Sequence, residues 1–82
     1  MKTVVITEAF DKYGTPCDSI VFLSKLARVD LYTYGSGAKS NPYSCELILS
    51  YEDGHERTFD FRKNVDKARE IFNNIQKVLS DN

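Results

Sequence analysis

Cys45-Glu46-Leu47-Ile48-Leu49-Ser50-Tyr51-Glu52-Asp53-Gly54-His55-Glu56-Arg57-Thr58-Phe59-Asp60-Phe61 decides how this chain folds. Two runs with an apolar residue at every second position flank a turn, the period of strands that bury one face. Turn length fixes which residues share that face. A two-residue loop of Asp53 and Gly54 would pair odd positions with even ones. Leu47, Leu49 and Tyr51 would then face away from Phe59 and Phe61. A three-residue loop, Glu52-Asp53-Gly54, pairs odd with odd. It gathers Leu47, Leu49, Tyr51, Phe59 and Phe61 on one side and leaves Glu46, Ile48, Ser50, Thr58 and Asp60 on the other. It also asks Gly54 to take a positive φ, which glycine does without a Cβ clash. A slip of one residue would exchange every side chain between core and water, so burial selects the three-residue loop.

An amphipathic helix follows directly. Asn64 suits the N-cap, where its side chain accepts from a free backbone N–H. Asp66 in the first turn and Lys77 near the end complement the helix dipole. Val65, Ala68, Ile71, Phe72, Ile75, Val78 and Leu79 recur at three- and four-residue steps and form one apolar stripe. An isolated helix of this length is marginal in water, so the stripe is read as core, laid on the Leu47/Leu49/Phe59/Phe61 face.

Upstream, Thr3 to Phe10 reads as a strand from its β-branched content. Tyr13-Gly14-Thr15-Pro16 is a loop. Ile20-Val21-Phe22-Leu23 is fully apolar and reads as a short buried strand. Ser24-Lys25-Leu26-Ala27 suits either a helical turn or a bulge. Arg28 to Tyr34 alternates, with Val29, Leu31 and Thr33 against Arg28, Asp30, Tyr32 and Tyr34. Gly35 to Pro42 is a flexible connector. No helix-length segment separates the later strands, so they pair antiparallel. The expected fold is α+β: an antiparallel sheet of four to five strands with one C-terminal amphipathic helix packed on one face, a single domain over residues 1–82.

Eighty-two residues hold one core and no second domain. Eleven basic residues stand against 12 acidic ones and are scattered along the chain, which argues against a protein that grips a nucleic-acid backbone. No apolar run is long enough to cross a bilayer. The opening Met1-Lys2-Thr3-Val4-Val5-Ile6 turns polar at Thr7-Glu8, too soon for the apolar core of a signal peptide. Cys17 and Cys45 lack the close spacing of a redox or zinc motif and read as free thiols of a reducing compartment, although a disulfide between them stays open. The expected location is the cytoplasm.

No motif carries catalysis. Gly35-Ser36-Gly37-Ala38-Lys39-Ser40 has the composition of a phosphate cradle, but Ala38 stands where the P-loop needs glycine before its lysine, and Asn41-Pro42 leads into a strand. His55, the single histidine, sits beside Glu52, Asp53 and Glu56 at a turn, a poor place for converging metal ligands. Neither cysteine has a local partner base. The expectation is a non-enzymatic protein with no cofactor and no metal. Its candidate partner-binding residues are aromatic: Tyr32 and Tyr34, which alternate with core positions, with Ile48, Lys39 and Tyr43 around them. The competing reading folds the N-terminal strand over these tyrosines as a second small core. The expected activity is protein binding, in a small regulator or inhibitor of the kind phages and other mobile elements encode. It would act by covering a partner's surface or by self-association as a homodimer. The alternative is a small-ligand or single-stranded nucleic-acid binder using the Tyr32/Tyr34 face and the glycine loop, in which aromatic rings stack on bases.

Overall fold

Gly54 has a φ of 92° and closes a three-residue turn in the computed structural model, which describes residues 2–81. The Tyr51 N–H donates to the His55 carbonyl at 2.9 Å, and the Gly54 N–H to the Tyr51 carbonyl at 3.0 Å. These bonds join β4 (Ser44–Tyr51) to β5 (Glu56–Arg62) with Leu47 opposite Phe59 and Leu49 opposite Arg57, odd with odd. Leu47, Leu49, Phe59 and Phe61 are buried as that register requires. At the turn, the Asp53 carboxylate accepts the His55 backbone N–H at 2.9 Å and pairs with the ring Nδ1 at the same distance. These bonds, the backbone one foremost, hold the Asp53 carboxyl below its ordinary titration range.

The remaining elements are β1 (Thr3–Phe10), β2 (Pro16–Phe22), β3 (Leu26–Tyr34) and α1 (Val65–Ser80). All five strands pair antiparallel in the order β2-β1-β5-β4-β3. Strands β2 and β3 are thus the two edges, yet only Leu23, Ser24 and Lys25 separate them in sequence. Four strand spacings across a flat sheet come to roughly 19 Å, before any offset along the strands. The chain from Phe22 to Leu26 can span at most about 14 Å. The sheet must bend enough to bring the end of β2 within that reach of the start of β3, although the two strands make no contact.

Strands β1 and β5 share the single registered pair Phe10–Asp60. Both strands are irregular there. Strand β1 shifts register between Ile6 and Ala9, with Glu8 at φ 61°, and the β4–β5 ladder shifts at Cys45, with Arg62 at φ 55°. Bulges of this kind bend a strand and raise its twist. A non-glycine residue at positive φ is strained, and each of these two is held by a contact. The Glu8 carboxylate lies 3.6 Å from the Lys67 ammonium, and the Arg62 guanidinium lies 3.6 Å from the Phe10 ring centroid. At the edge-to-edge link the Leu26 N–H donates to the Leu23 carbonyl at 3.2 Å, and β3 then shifts register between Leu26 and Arg28. Ser24 to Ala27 therefore forms a tight turn followed by a bulge.

Helix α1 fills the concave side. The Asn64 side chain accepts from the Lys67 N–H at 3.3 Å and caps the helix. Ala68, Ile71 and Ile75 are buried against Val4, Ile6, Cys45 and the β4–β5 face. Val65, Phe72 and Val78 are half-buried at the margins, and Leu79 is exposed. One expectation is corrected. Ile20 to Leu23 is the end of an edge strand rather than a separate buried one: Val21 and Leu23 point inward and are buried, whereas Ile20 and Phe22 are 66% and 55% exposed. The helix covers one side of the sheet only, so the outward half of that apolar run meets water.

Burial ranks the helix substitutions. Ile75→Ala should cost about 2–5 kcal/mol in urea unfolding, and Phe72→Ala less than the 3–5 kcal/mol typical of a fully enclosed ring. Gly54 has open space around it, so Gly54→Val tests the backbone alone. A loss of about 1–3 kcal/mol is expected, while His55→Ala should leave the midpoint unchanged.

Candidate binding face

Among the described residues, no second layer covers the convex side of the curled sheet. Strand β1 lies within the sheet rather than across it, so Tyr32 and Tyr34 are surface residues, 39% and 49% exposed. As i, i+2 neighbours on one strand they point the same way. Their rings stack with centroids 6.3 Å apart and planes 12° from parallel. Across the ladder, Tyr32 stands opposite Glu46 and Tyr34 opposite Ser44, while half-buried Ile48 sits between Asp30 and Thr58 on the same side. Further along β3, the Arg28 Nε donates to the Asp30 carboxylate at 2.6 Å, and that bond raises the guanidinium above its ordinary pKa.

Lys39 and Tyr43 do not join this group. The glycine segment, expected to be flexible, is a folded turn. The Ser36 and Gly37 N–H groups both donate to the Asn41 carbonyl, and Asn41 donates back to Ala38 at 3.0 Å. Gly35 packs so closely that a Cβ there would come within 2.3 Å of the Pro42 carbonyl oxygen. Lys39 stands exposed at the tip of this turn. The Tyr43 ring lies over Gly37 and, with Thr33, borders a cleft at the start of α1 lined by Lys63, Val65, Asp66 and Arg69. Thr33 alternates with the tyrosines of β3, which puts this cleft on the helix side.

A further exposed apolar cluster was not among the candidates. Val5 stands directly opposite Ile20, with Phe22 two residues further along β2 on the same face. They are 58%, 66% and 55% exposed. The sequence did hold a sign of them. Val4-Val5-Ile6 and Ile20-Val21-Phe22-Leu23 carry apolar residues at both parities, more than one covered face can bury. A continuous apolar run reads the same whether its second face is buried or open.

The ionisable groups are dispersed. Among the described residues, no three His, Cys, Asp or Glu side chains come together. His55 is exposed at the hairpin tip. Cys45 is buried with its Sγ 3.9 Å from the Asn64 carbonyl, and desolvation pushes its thiol pKa up. Cys17 is a half-buried free thiol on β2, 3.5 Å from the Ser19 hydroxyl. No described helix is long and apolar enough to cross a membrane. Comparison with protein-family models, with curated proteins and with solved structures found no match to this chain.

The two thiols should separate in a labelling experiment. Cys17 is expected to react with an aromatic disulfide reagent in the native state, and Cys45 only as the protein unfolds. Mass spectrometry of digested samples along a urea series reads both.

Proposed function

We propose that this protein is a non-enzymatic binding module, a small regulator that covers a partner protein's surface with the convex face of its sheet. One observation carries the reading: Val5, Ile20 and Phe22 form an apolar cluster, each more than half exposed, on a face that no described element covers. Exposed apolar clusters of this kind mark interaction sites in soluble proteins. The stacked Tyr32/Tyr34 pair adds aromatic area whose hydroxyls tolerate water at the rim. Size agrees as well. A standard interface takes about 800 Å² from each partner, which one face can supply from a total accessible surface of 5681 Å². The convex face carries Asp30, Glu46 and Asp60 beside Arg28, and the chain has a net charge of -1, a balance that favours a protein partner over a single strand.

Two paired substitutions test this. Ile20→Ser with Phe22→Ser removes the cluster, and Tyr32→Ser with Tyr34→Ser removes the stack. Both double variants should keep the fold by circular dichroism, because none of these side chains belongs to the buried core. The tagged wild type, passed through lysate of the source cells, should retain a protein identifiable by mass spectrometry. The cluster variant should lose it, and the tyrosine variant should weaken it by about 2 kcal/mol or more. Undiminished capture by both variants would refute the convex face as the binding surface. A steep loss of binding with salt would point to nucleic acid instead.

A further inference from the structure

The ladder geometry shows which backbone groups of β3 face outward. Tyr51 bonds His55, so the odd residues of β4 direct their N–H and C=O groups to β5 and the even ones to β3. On β3 the even residues, Arg28 to Tyr34, complete those bonds. Val29, Leu31 and Thr33 therefore point their N–H and C=O groups away from the sheet, where no described strand pairs with them. An unpaired row of this kind is a template for another strand unless something blunts it. Here that role falls to the bulge at the start of β3 and to Arg28 and Asp30, whose opposite charges repel a strand unless it complements them; the stretch from Arg28 to Tyr34 holds no proline and no lysine.

We infer that the β3 edge pairs with the β3 edge of a second copy of this chain, antiparallel about a two-fold axis at Val29, to make a continuous ten-stranded sheet. Charge selects both the occupant and the register. Arg28 and Asp30 are the only charged side chains from Arg28 to Tyr34 and have opposite signs. With Val29 opposite the partner's Val29, Arg28 stands opposite the partner's Asp30, and Asp30 opposite the partner's Arg28. These are the non-hydrogen-bonded positions, where side chains approach most closely. Arg28 bonds its own Asp30 through Nε and lies beside Tyr32, and its side chain is exposed enough at the edge to reach across. Centring the axis on Asp30 would bring two carboxylates together, which disfavours that register. The other edge, β2, offers no such match. It begins at Pro16, which has no N–H, and its single charge is Asp18.

The concave side of the same edge supports the pairing. A groove of about 250 Å³ runs between β3 and α1, its lining mainly apolar (Leu26, Val29, Phe72 and Leu79) with Arg28 and Gln76 beside them. Leu79 is 43% exposed there, and Val29 and Leu31 are half-buried. In the proposed register the partner's Leu31 comes opposite Ala27, whose small side chain leaves room at the mouth of the groove. The pairing leaves the convex face open and presents it twice, so it stands independently of the partner proposed for that face.

Charge reversal tests the inference through oligomeric state alone. Sedimentation should show wild type at twice the 9.4 kDa of the chain, dissociating as salt is raised. Arg28→Asp places four carboxylates at the seam and Asp30→Arg places four guanidiniums there. Each variant alone should be monomeric at concentrations where wild type is dimeric, with at least a tenfold rise in Kd, about the scale of a single lost charge contact. Mixed together, the two should form a heterodimer, because every cross-seam pair is then opposite in sign. The double variant Arg28→Asp/Asp30→Arg should again form a homodimer. A wild type that stays monomeric to about 1 mM, the limit of weak association, overturns the inference. So does a dimer that ignores all these substitutions, or single variants that do not rescue one another. Should a reversed variant fail to fold by circular dichroism, Arg28→Gln and Asp30→Asn replace the pair. A dimer unaffected by both of those likewise overturns it.

Discussion

Three residues, Leu23 to Lys25, join the two opposite edges of a five-stranded sheet, and the rest of the molecule follows from that short link. A flat sheet would hold Phe22 and Leu26 further apart than the chain can reach. The sheet therefore bends, and its thinnest ladder is the single registered pair between β1 and β5. Among the described residues, the non-glycine residues in left-handed conformation are Glu8 and Arg62, in the two strands that share this pair. Their strain has a structural cause, since bulges re-aim the two strands, and contacts with Lys67 and Phe10 hold them in place.

Bending makes the two faces of the sheet unequal. The concave side encloses α1 and holds the core, with Phe59, Phe61, Leu47, Leu49, Ile6 and Ile75 essentially inaccessible to water. Among the described residues, no second layer covers the convex side, so apolar residues placed there stay exposed. A chain of this size buries only about two-thirds of its unfolded surface even when well packed. Three large apolar side chains left in water on one face are a cost that a bound partner would remove. The two edges differ in the same way. Strand β2 starts with a proline and carries a lone acid, whereas β3 presents a charge pair that complements itself under antiparallel pairing.

Local patterns were legible wherever one residue's conformation or one face's burial decided the outcome. The odd-with-odd register of the β4–β5 hairpin, the cap at Asn64 and the core stripe of α1 are of this kind. Each depends on neighbours within a few residues and on which side of an element is apolar. The fate of Ile20 and Phe22 was not legible, because an apolar run does not say whether a layer covers its second face. The glycine segment misled for a related reason. Its composition suggests freedom, but the close packing of Gly35 on Pro42 and of Tyr43 on Gly37 shows that these glycines serve contact instead.

The candidate site divides along the same line. Alternation on β3 placed Tyr32 and Tyr34 together on the side away from the core, and the sequence by itself determined that much, along with the α+β class and the single helix on one face. Whether that side was covered by the N-terminal strand depended on where β1 paired, and β1 entered the sheet beside β5 instead of lying across the tyrosines. The same pairing exposed Val5 beside Ile20 and left Tyr43 with the helix rather than with the other tyrosines. Side-chain parity is written into a strand residue by residue. Strand order, curvature and the layer that covers a face depend on contacts between residues distant in sequence, and only the folded chain decides those.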